Sequence, residues 1–381
     1  MTAQLAEETA GHARMLRDSV DDFVARGTDV ARVRTLRGTD PGYDRAVWRQ
    51  MAELGWLGIL VPESRSGLGL GFTEMRIVVE GLATVLAPEP VTASAVLAGG
   101  VLRHVPACPK ADELLGELVA GEVIPALAWQ EQSGNLAGDC GETRARAFEG
   151  GFKLEGTKRF VRAAAGADGF VVSAEGPDGM LLAWLPAATA GHALATTPLA
   201  DGTTMGTLRL ADVVVPREHV LAQGNPAQQA LSRALDETTV MAGAELCGVM
   251  RRTMELSLDY MRTRVQFGKP IGAFQALAHR AVDLHIQREL ASAVLDDAVA
   301  LLDANAEPVA RAAAASRVKA RCSEAALRVT REAIQIHGAI GFTDEYDAGL
   351  YLKRALVLSA WLGNGALHRR RYAQLIPSDL A

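Results

Sequence analysis

The chain has 381 residues, with 45 acidic and 39 basic side chains, and its formal net charge is −6 at pH 7. Apolar residues make up 49% and charged residues 22%, which is ordinary for a globular protein with a large core. The acidic balance argues against general nucleic-acid binding, and the local run Arg369–Arg371 is expected to be a solvated helix end. The length predicts two or three subdomains.

Cysteine, histidine and terminal patterns exclude several classes of protein. The cysteines are widely spaced and form no CxxC pair, which predicts reduced thiols in a cytoplasmic protein, packed as small core residues. They are Cys108, Cys140, Cys247 and Cys322. The eight histidines show no spacing such as HExxH, so we expect no metal site. Residues 1–15 lack the features of a signal peptide, and no apolar run predicts a membrane span.

The first segment, residues 1–121, has a helical period. In YDRAVWRQMAELGWLGIL, apolar residues recur at three- and four-residue steps, at Val47, Met51, Leu54 and Leu57. Proline and glycines in VPESRSGLGLG then interrupt the pattern, and a new helix is predicted from Thr73 to Leu86. We interpret this segment as an N-terminal helical domain.

The second segment, residues 122–226, changes to a period of two. AFEGGFKLEGTKRFV indicates a hairpin that turns at Gly150–Gly151 and places Phe152 and Leu154 on one face. About eight short strands follow one another, separated by turn residues. This pattern predicts a small antiparallel β-domain, either a barrel or a sandwich.

The third segment, residues 227–381, returns to the helical period. One predicted apolar stripe contains Val282, Ile286, Leu290 and Val294; another contains Cys322, Ala326, Val329, Ala333 and Ile336. Long alanine-rich helices of this kind predict a C-terminal four-helix bundle. The chain is therefore expected to be an α+β protein with the order α, β, α.

Two stretches of the third segment could bind a ligand. In DYMRTRVQFGKPIGAFQ, Arg264, Gln266 and Phe267 lie at a helix boundary, which suits a dinucleotide pyrophosphate and adenine but equally suits a turn capped by charged residues. In IQIHGAIGFTDEYDAG, small residues would allow a close approach of a backbone or cofactor. His337 there is expected to be packed or locally hydrogen-bonded rather than catalytic.

Together these stretches resemble the acyl-CoA dehydrogenase family. The resemblance rests on RTRVQFGKPIGAFQALAHRAVD and QIHGAIGFTDEYDAGLYLKRA, and also on ELGWLGILVPESRSGLGLG and GTKRFVRAAAGADGFVV. It covers nearly the whole chain. The C-terminal part is most similar to the small-subunit branch, exemplified by the pimeloyl-CoA dehydrogenase small subunit and by partners in steroid side-chain degradation.

The resemblance implies the fold predicted above and an FAD cofactor lying between the β-domain and the bundle. Residues matching the family's cofactor motifs fall in four places. These are Arg264, Gln266 and Phe267, for the pyrophosphate and adenine of an adjacent subunit; Gln335 and Ala339, for the ADP portion; Leu127, Trp129 and Gln130, beside the isoalloxazine; and Phe160 and Arg162, where the family has tryptophan and threonine or serine.

The resemblance also implies a reaction that this chain is poorly equipped to start. A carboxylate with a raised pKa removes the α-proton of an acyl-CoA thioester, and a hydride leaves the β-carbon for the flavin. Most members hold that carboxylate in a motif like Tyr-Glu-Gly-Thr between the last two helices, where this chain reads WLGNG. Counting from the flanking arginines gives Gly363 the glutamate's place, and the family's second location falls on Thr238. The nearby substitutes are Asp236, Glu237 and Glu245, of which Glu237 is the nearest.

Three hypotheses remain open from the sequence. The chain is one subunit of a heteromeric dehydrogenase whose related partner supplies the base, a self-sufficient dehydrogenase with a displaced base, or a flavin monooxygenase or structural subunit on the same scaffold. The implied partners are an acyl-CoA substrate, an electron-transfer flavoprotein and a homo- or hetero-oligomer of two or four subunits. Small residues at Gly363, Gly365 and Ala366 suggest room for a bulky acyl chain.

Overall fold

The computed structural model describes residues 2–26, 30–136, 138 and 141–376, with the side chains of the first helix described from residue 11 onward. Cys140, one of the predicted core thiols, lies outside the described residues. Cys247 and Cys322 are buried and Cys108 is half-buried, all three as free thiols. The cysteine prediction is therefore confirmed for the two buried residues.

The chain begins with helices. They are α1 (Thr2–Ala25), α2 (Val30–Leu36), α3 (Arg45–Glu53), α4 (Phe72–Thr84), a π-helix (Thr92–Ala98), α5 (Gly99–His104) and α6 (Pro109–Val119). Helix α3 starts at Asp44, whose side chain accepts a hydrogen bond from the Ala46 N–H and caps the first turn. Helix α4 confirms the helix predicted after the glycine-rich interruption.

The predicted apolar stripe around α3 is only partly buried. Met51 and Leu57 are buried, but Leu54 is 40% exposed. Helix α3 ends at Glu53, and Gly55 then adopts a φ of 79°, so Leu54 leaves the helical face that the periodicity assigned to it. Including Leu54 in the stripe was therefore wrong.

The middle of the chain forms an eight-stranded sheet. Its strands are β1 (Pro125–Ala128), β2 (Arg144–Phe148), β3 (Gly151–Arg162), β4 (Gly169–Gly176), β5 (Gly179–Pro186), β6 (His192–Pro198), β7 (Thr204–Pro216) and β8 (Val220–Gln223). The order is β6-β7-β3-β2-β4-β5-β8, with β1 paired to β4. Pairing is mainly antiparallel, and β4 runs parallel to β1 and to β2. The core contains Leu154, Val161, Phe170 and Leu208.

The predicted hairpin is present, with its turn one residue earlier than expected. Phe148 pairs with Gly151, so Glu149 and Gly150 form the turn and Gly151 already belongs to β3. Gly151 has a φ of 148°, and a Cβ there would lie 2.2 Å from the Val215 carbonyl oxygen. The second glycine therefore serves close strand packing rather than the turn.

The C-terminal part is again helical, apart from a two-stranded ribbon. The elements are α7 (Gly224–Thr263), β9 (Val265–Gln266), β10 (Lys269–Pro270), α8 (Gln275–Asp303), α9 (Pro308–His337), α10 (Ala348–Ala360) and α11 (Gly365–Leu375). N-terminal helices, a middle sheet and C-terminal helices together confirm the predicted fold class. None of the described helices has the length and apolar character of a membrane-spanning segment.

The two predicted C-terminal stripes have opposite outcomes. Every member of the α9 stripe, from Cys322 to Ile336, is buried. On α8, however, Val282, Ile286 and Leu290 are 56%, 46% and 51% exposed. The α8 side chains that pack inward are Ala281, Leu284, Ala291, Leu295, Ala298, Val299 and Leu302. Periodicity identified an apolar face correctly, but that face is uncovered by the described residues of this chain.

The chain folds into two compact units, each built from more than one stretch of sequence. One comprises residues 36–75 and 88–238 and contains the sheet; the other comprises residues up to 35, 76–87 and those from 239 onward. The part of α7 that includes Glu237 belongs to the sheet-containing unit. The helix α9, the ribbon and the α10–α11 loop belong to the helical unit.

Candidate functional site

The Gly-Asn-Gly break is a structured connection between α10 and α11. Helix α10 ends at Ala360, and Leu362 and Gly363 then adopt positive φ values of 56° and 92°. Asn364 is the N-cap of α11, since its side-chain oxygen accepts a hydrogen bond of 3.0 Å from the Leu367 N–H. The break therefore stops one helix and starts the next, with a non-glycine residue held in the left-handed region.

Two buried basic side chains hold this α10–α11 loop from α9 and α11. The Lys319 Nζ donates to the carbonyl oxygens of Leu358 at 2.7 Å and Ser359 at 3.1 Å. The His368 Nε2–H donates to the Leu362 carbonyl oxygen at 2.7 Å. Burial lowers the pKa of Lys319 to about 7 and that of His368 to about 4. The carbonyl oxygens of Leu358, Ser359 and Leu362 are thus held by two basic side chains.

Glu237 is the carboxylate closest in sequence to the family's second base position, and it is fully paired. Arg103 Nη2 lies 2.6 Å from it, His104 Nε2 lies 2.8 and 2.9 Å from its two oxygens, and Arg233 Nε lies at 2.9 Å. Burial alone would raise the pKa of Glu237, but Arg103 above all, together with His104 and Arg233, lowers it to about 2. This environment holds an ionised anchor and opposes proton uptake.

Thr238, the residue at the family's second base position, also has its hydroxyl engaged in a hydrogen bond. It is buried, and its hydroxyl donates to the Ala234 carbonyl oxygen at 2.6 Å, within its own helix. The other two sequence candidates differ in exposure: Asp236 is buried and Glu245 is half-buried.

The β9–β10 ribbon presents an aromatic ring on a tight turn. Gln266 pairs with Lys269, and the intervening Phe267 and Gly268 have φ values of 54° and 78°, the pattern of a type I′ turn. Phe267 is 92% exposed, although its ring meets that of Phe274 edge-on at 6.1 Å. Arg264, just before the ribbon, is exposed and has no side-chain partner among the described residues. An exposed aromatic beside an available guanidinium suits a base-bearing pyrophosphate.

His337, at the C-terminal end of α9, is packed and locally hydrogen-bonded, as predicted. Its Nδ1–H donates to the Ala333 carbonyl oxygen at 2.7 Å, and its Nε2 accepts from the Tyr346 hydroxyl at 2.9 Å. The ring also packs against Tyr260, with centroids 4.5 Å apart. Gln335 and Ala339, the predicted ADP-side residues, are both exposed at this end of the helix.

In the sheet-containing unit, the residues after β1 are fixed by a buried ion pair. Leu127 and Trp129 are buried and Gln130 is half-buried. The Lys158 Nζ donates to Glu131 Oε1 at 2.7 Å and to the Trp129 carbonyl oxygen at 3.2 Å. The Lys158 side chain therefore fixes the path of the backbone at Trp129, one of the predicted cofactor residues.

Glu131 also organises the segment before β2. Its carboxylate accepts hydrogen bonds from the N–H groups of Gly141, Glu142 and Thr143, at 2.9, 2.7 and 3.0 Å. Burial acts to raise the pKa of Glu131, but the hydrogen bonds from Lys158 and these backbone groups lower it to about 2. The carboxylate is thus a structural anion rather than a base.

Phe160 and Arg162, the remaining predicted cofactor residues, lie at an irregularity in β3. The β3–β7 register shifts between Lys158 and Val161, and Phe160 has a φ of 59°. Both Phe160 and Arg162 are half-buried. The bulge redirects the side chains of these two predicted cofactor residues.

Sequence reasoning missed three basic groups that shape these segments: the buried Lys158 and Lys319, and the half-buried Arg103 that pairs with Glu237. The burial of Lys319 could have been predicted from the sequence, because it precedes Cys322 by three residues and so lies on the buried α9 stripe. A lysine on such a stripe demands a polar partner. Arg103 and Lys158 gave no comparable signal.

Family models and known proteins match this chain over most of its length. The family models "Acyl-CoA dehydrogenase, N-terminal domain" and "Acyl-CoA dehydrogenase, C-terminal domain" match residues 11–122 and 228–376. Acyl-CoA dehydrogenase IpdE2 of Mycobacterium tuberculosis is 30% identical over 344 residues, 90% of each chain. The ChsE4-ChsE5 complex from Mycobacterium tuberculosis is similar in structure, with a TM-score of 0.86, 26% identity and coverage of 95% of this chain and 96% of the other. A variant of the Tcur3481-Tcur3483 steroid ACAD is also similar in structure, with a TM-score of 0.85 and 27% identity. The match covers 97% of this chain and 98% of the other. This chain therefore belongs to the acyl-CoA dehydrogenase family, whose members are flavoprotein oxidoreductases that act on CH–CH groups.

Proposed function

We propose that this chain is a subunit of an FAD-dependent acyl-CoA dehydrogenase that desaturates an acyl-CoA thioester between its α- and β-carbons, and that its catalytic base comes from a related partner subunit. The observation that carries the proposal is the α10–α11 loop, Trp361–Asn364, which contains no ionisable side chain. Proton abstraction from a thioester needs a carboxylate placed within hydrogen-bond reach.

The conformation of the loop refines which residue takes the glutamate's place. Counting from the flanking arginines gave Gly363. In a Tyr-Glu-Gly-Thr motif, however, a glycine precedes a threonine, and threonine is a good helix N-cap. Here Gly363, with its φ of 92°, precedes the N-cap Asn364. This supports an alignment in which Trp361, Leu362, Gly363 and Asn364 replace the four motif residues, with Leu362 in the glutamate's position.

The substitute carboxylate on α7 is poorly suited to be the base. A base that takes a thioester proton works best with a raised pKa, whereas that of Glu237 is lowered to about 2. Its three partners, Arg103, His104 and Arg233, would also have to give up their bonds for it to turn toward a substrate. This argues for a base from outside the chain and against a self-sufficient enzyme that uses Glu237.

The proposed cofactor is FAD, which accepts the hydride from the β-carbon when bound. Arg264, Gln266 and Phe267 would contact its pyrophosphate and adenine, and the exposure of the Phe267 ring on a left-handed turn supports such a role. The other residues proposed to hold it are Gln335, Ala339, Leu127, Trp129, Gln130, Phe160 and Arg162.

The exposed part of the predicted α8 stripe, Val282, Ile286 and Leu290, supports the proposal of a partner subunit; Val294, its fourth member, is half-buried. Three branched apolar side chains, each roughly half exposed along one helix face, are typical of a surface that another protein covers. The similar ChsE4-ChsE5 structure is by its title a complex of two different chains. We propose a related acyl-CoA dehydrogenase chain as the partner, which would place this protein in the small-subunit branch, and an electron-transfer flavoprotein as the electron acceptor.

The proposed acyl group is bulky, such as a ring-bearing chain. A leucine in place of the glutamate gives the loop an apolar surface, and one structurally similar protein is titled a steroid ACAD. Gly365 does not add to this space, because a Cβ there would meet the Ala320 backbone at 3.5 and 3.7 Å. A side chain there would make ordinary van der Waals contact with α9.

Installing a carboxylate in the loop tests the proposal. Leu362→Glu should make FAD-loaded protein bleach its flavin absorbance when mixed anaerobically with an acyl-CoA, whereas Leu362→Gln should not. Gly363→Glu should stay inactive, because a side chain at a φ of 92° is strained. Equal bleaching by the unmodified chain and by Leu362→Glu would contradict the missing base.

A further inference from the structure

A cavity of about 640 Å³ lies within the helical unit, and none of its lining residues is predicted to hold FAD or to act as a base. Its walls come from the ends of α1 and α4, from α2, from the C-terminal half of α7 and from the residue before α10. All of these stretches belong to the same compact unit. Pockets that bind small organic molecules have volumes of this order, so the cavity is large enough to hold one.

The charged side chains that line the cavity are balanced in number. They are three arginines and three carboxylates: Arg34, Arg251, Arg252, Asp21, Glu255 and Asp347. Arg34 Nη1 lies 2.7 Å from Asp347 Oδ1, which pairs these two within the lining. Arg252 Nη1 lies 3.2 Å from Glu255 Oε2, which forms a second pair. Arg251 and Asp21 are exposed, and neither has a partner among the described residues. The number of charges alone therefore does not decide the charge of a ligand.

The hydrogen bonds of Arg34 indicate which charge a ligand should carry. Arg34 donates from Nη1 to Asp347 and from Nε to the Asp344 carbonyl oxygen at 3.0 Å, but its enclosed Nη2 has no acceptor in the described part of the chain. An enclosed donor of a charged group is costly without an acceptor, and a bound oxygen atom removes that cost. No carboxylate oxygen of the described lining residues is enclosed without a partner. The lining therefore lacks a hydrogen-bond acceptor rather than a donor.

Hydrogen bonds between the walls fix the cavity before a ligand binds. The bonds from Arg34 to Asp344 and Asp347 join α2 to the segment that precedes α10. The Tyr351 hydroxyl, on α10, donates to the Thr84 carbonyl oxygen at the end of α4. The walls formed by α2, α4 and the start of α10 are thus connected, which lowers the cost of ordering them around a ligand.

Apolar side chains line another part of the cavity. Val24 lies on α1, Val30 on α2, and Val85 directly after α4. Val24 and Val30 are half-buried and Val85 is buried. A ligand that places hydrocarbon against these side chains removes apolar surface from water. The lining therefore fits an oxyanion attached to a short hydrocarbon chain better than it fits an inorganic ion.

We propose that this cavity binds a small amphiphilic anion, a carboxylate or phosphate attached to a short hydrocarbon chain, with the oxygens of the anion bound by Arg34 and Arg251. A guanidinium binds either head group through paired hydrogen bonds, so the two share one recognition chemistry. The proposal does not rest on the proposed function, because it uses neither FAD nor the α10–α11 loop.

Titration calorimetry of the full-length protein at constant ionic strength tests the site, with octanoate and hexyl phosphate as probes. We expect saturable binding of at least one probe, weakened about tenfold by Arg251→Gln, the effect of losing one charge-assisted hydrogen bond. Arg251 forms no described bond within the chain, so this variant should fold as the unmodified protein does. Arg328→Gln is the matched control, because Arg328 on α9 is also exposed, has no partner in the described ranges and lies outside the lining. It should bind both probes as the unmodified protein does.

Further probes separate the head group from the hydrocarbon chain. Acetate should bind at least about tenfold more weakly than octanoate, because it lacks the chain that the valines would cover. Octanol, which has the chain but no charge, should bind equally to the unmodified protein and to Arg251→Gln. The tighter of octanoate and hexyl phosphate assigns the head group. Unchanged affinity of both charged probes in Arg251→Gln, or no saturable binding of either up to about 10 mM, would overturn the proposal.

Discussion

Replacing Glu237 by glutamine should destabilise the protein without removing a catalytic group. The pKa of this carboxyl is lowered from 4.5 to about 2. That shift corresponds to about 3 kcal/mol of stability at neutral pH. Glutamine keeps the size of the side chain but leaves the positive charge of Arg103 buried and unbalanced, a change of the same order. Thermal unfolding should therefore begin roughly 6 °C lower, at about 2 °C per kcal/mol for a large chain.

The pH profile gives the sharper test of Glu237. Because its pKa is lower in the folded state, its contribution is complete above pH 4.5 and is lost as the pH falls toward about 2. Acid unfolding in that window should be shallower in Glu237→Gln than in the unmodified protein. Glu255→Gln is the matched control on α7, since the side chains of Glu255 and its partner Arg252 are 48% and 41% exposed and such a pair contributes under about 1 kcal/mol. Unchanged stability together with abolished acyl-CoA-dependent flavin reduction would refute the structural role and favour a base.

Three further substitutions test other parts of the fold. Lys158→Met should cost about 3 to 5 kcal/mol in urea unfolding, because it leaves the Glu131 carboxylate buried without its ammonium; a loss below about 1 kcal/mol would contradict the ion pair. Asn364→Ala should cost about 1 kcal/mol and Asn364→Ser should restore most of it, as expected for an N-cap; equal stability of the two variants would count against the cap. Between about pH 7 and 10.5, the unfolded chain binds a proton at Lys319 that the folded chain does not, so the free energy of unfolding should rise with pH by at most about 5 kcal/mol from this group. Lys319→Met should remove that rise. A rise that persists in the variant would show that another group causes it.

Local periodicity was enough to predict the element order and much of the packing. The α9 stripe from Cys322 to Ile336 is buried as predicted, because its period matches a straight helix whose one face meets the core. Periodicity does not say what covers an apolar face, and this explains the α8 stripe, where Val282 and Leu290 are about half exposed. The hairpin was located to within one residue because the turn glycines restrict its position.

The features that decide the chemistry were less accessible from the sequence. Glu237 meets Arg103 and His104 across more than 130 residues of chain, and no local pattern links them. The left-handed conformation of Leu362 is likewise invisible, because leucine rarely adopts it and nothing in the neighbouring residues demands it. What the sequence did predict is that the loop lacks a carboxylate, which depends on residue identity alone.

Deuterium uptake at the α-carbon of an acyl-CoA tests the missing base most directly. Homogeneous FAD-loaded protein is incubated anaerobically with the acyl-CoA in D2O, alone and with a related subunit that carries a carboxylate in the corresponding loop. We predict no deuterium at the α-carbon and no flavin reduction for the chain alone, and both for the mixture. Incorporation catalysed by the chain alone would show that this polypeptide has a proton acceptor of its own, and its loss in Glu237→Gln would identify that carboxylate as the acceptor.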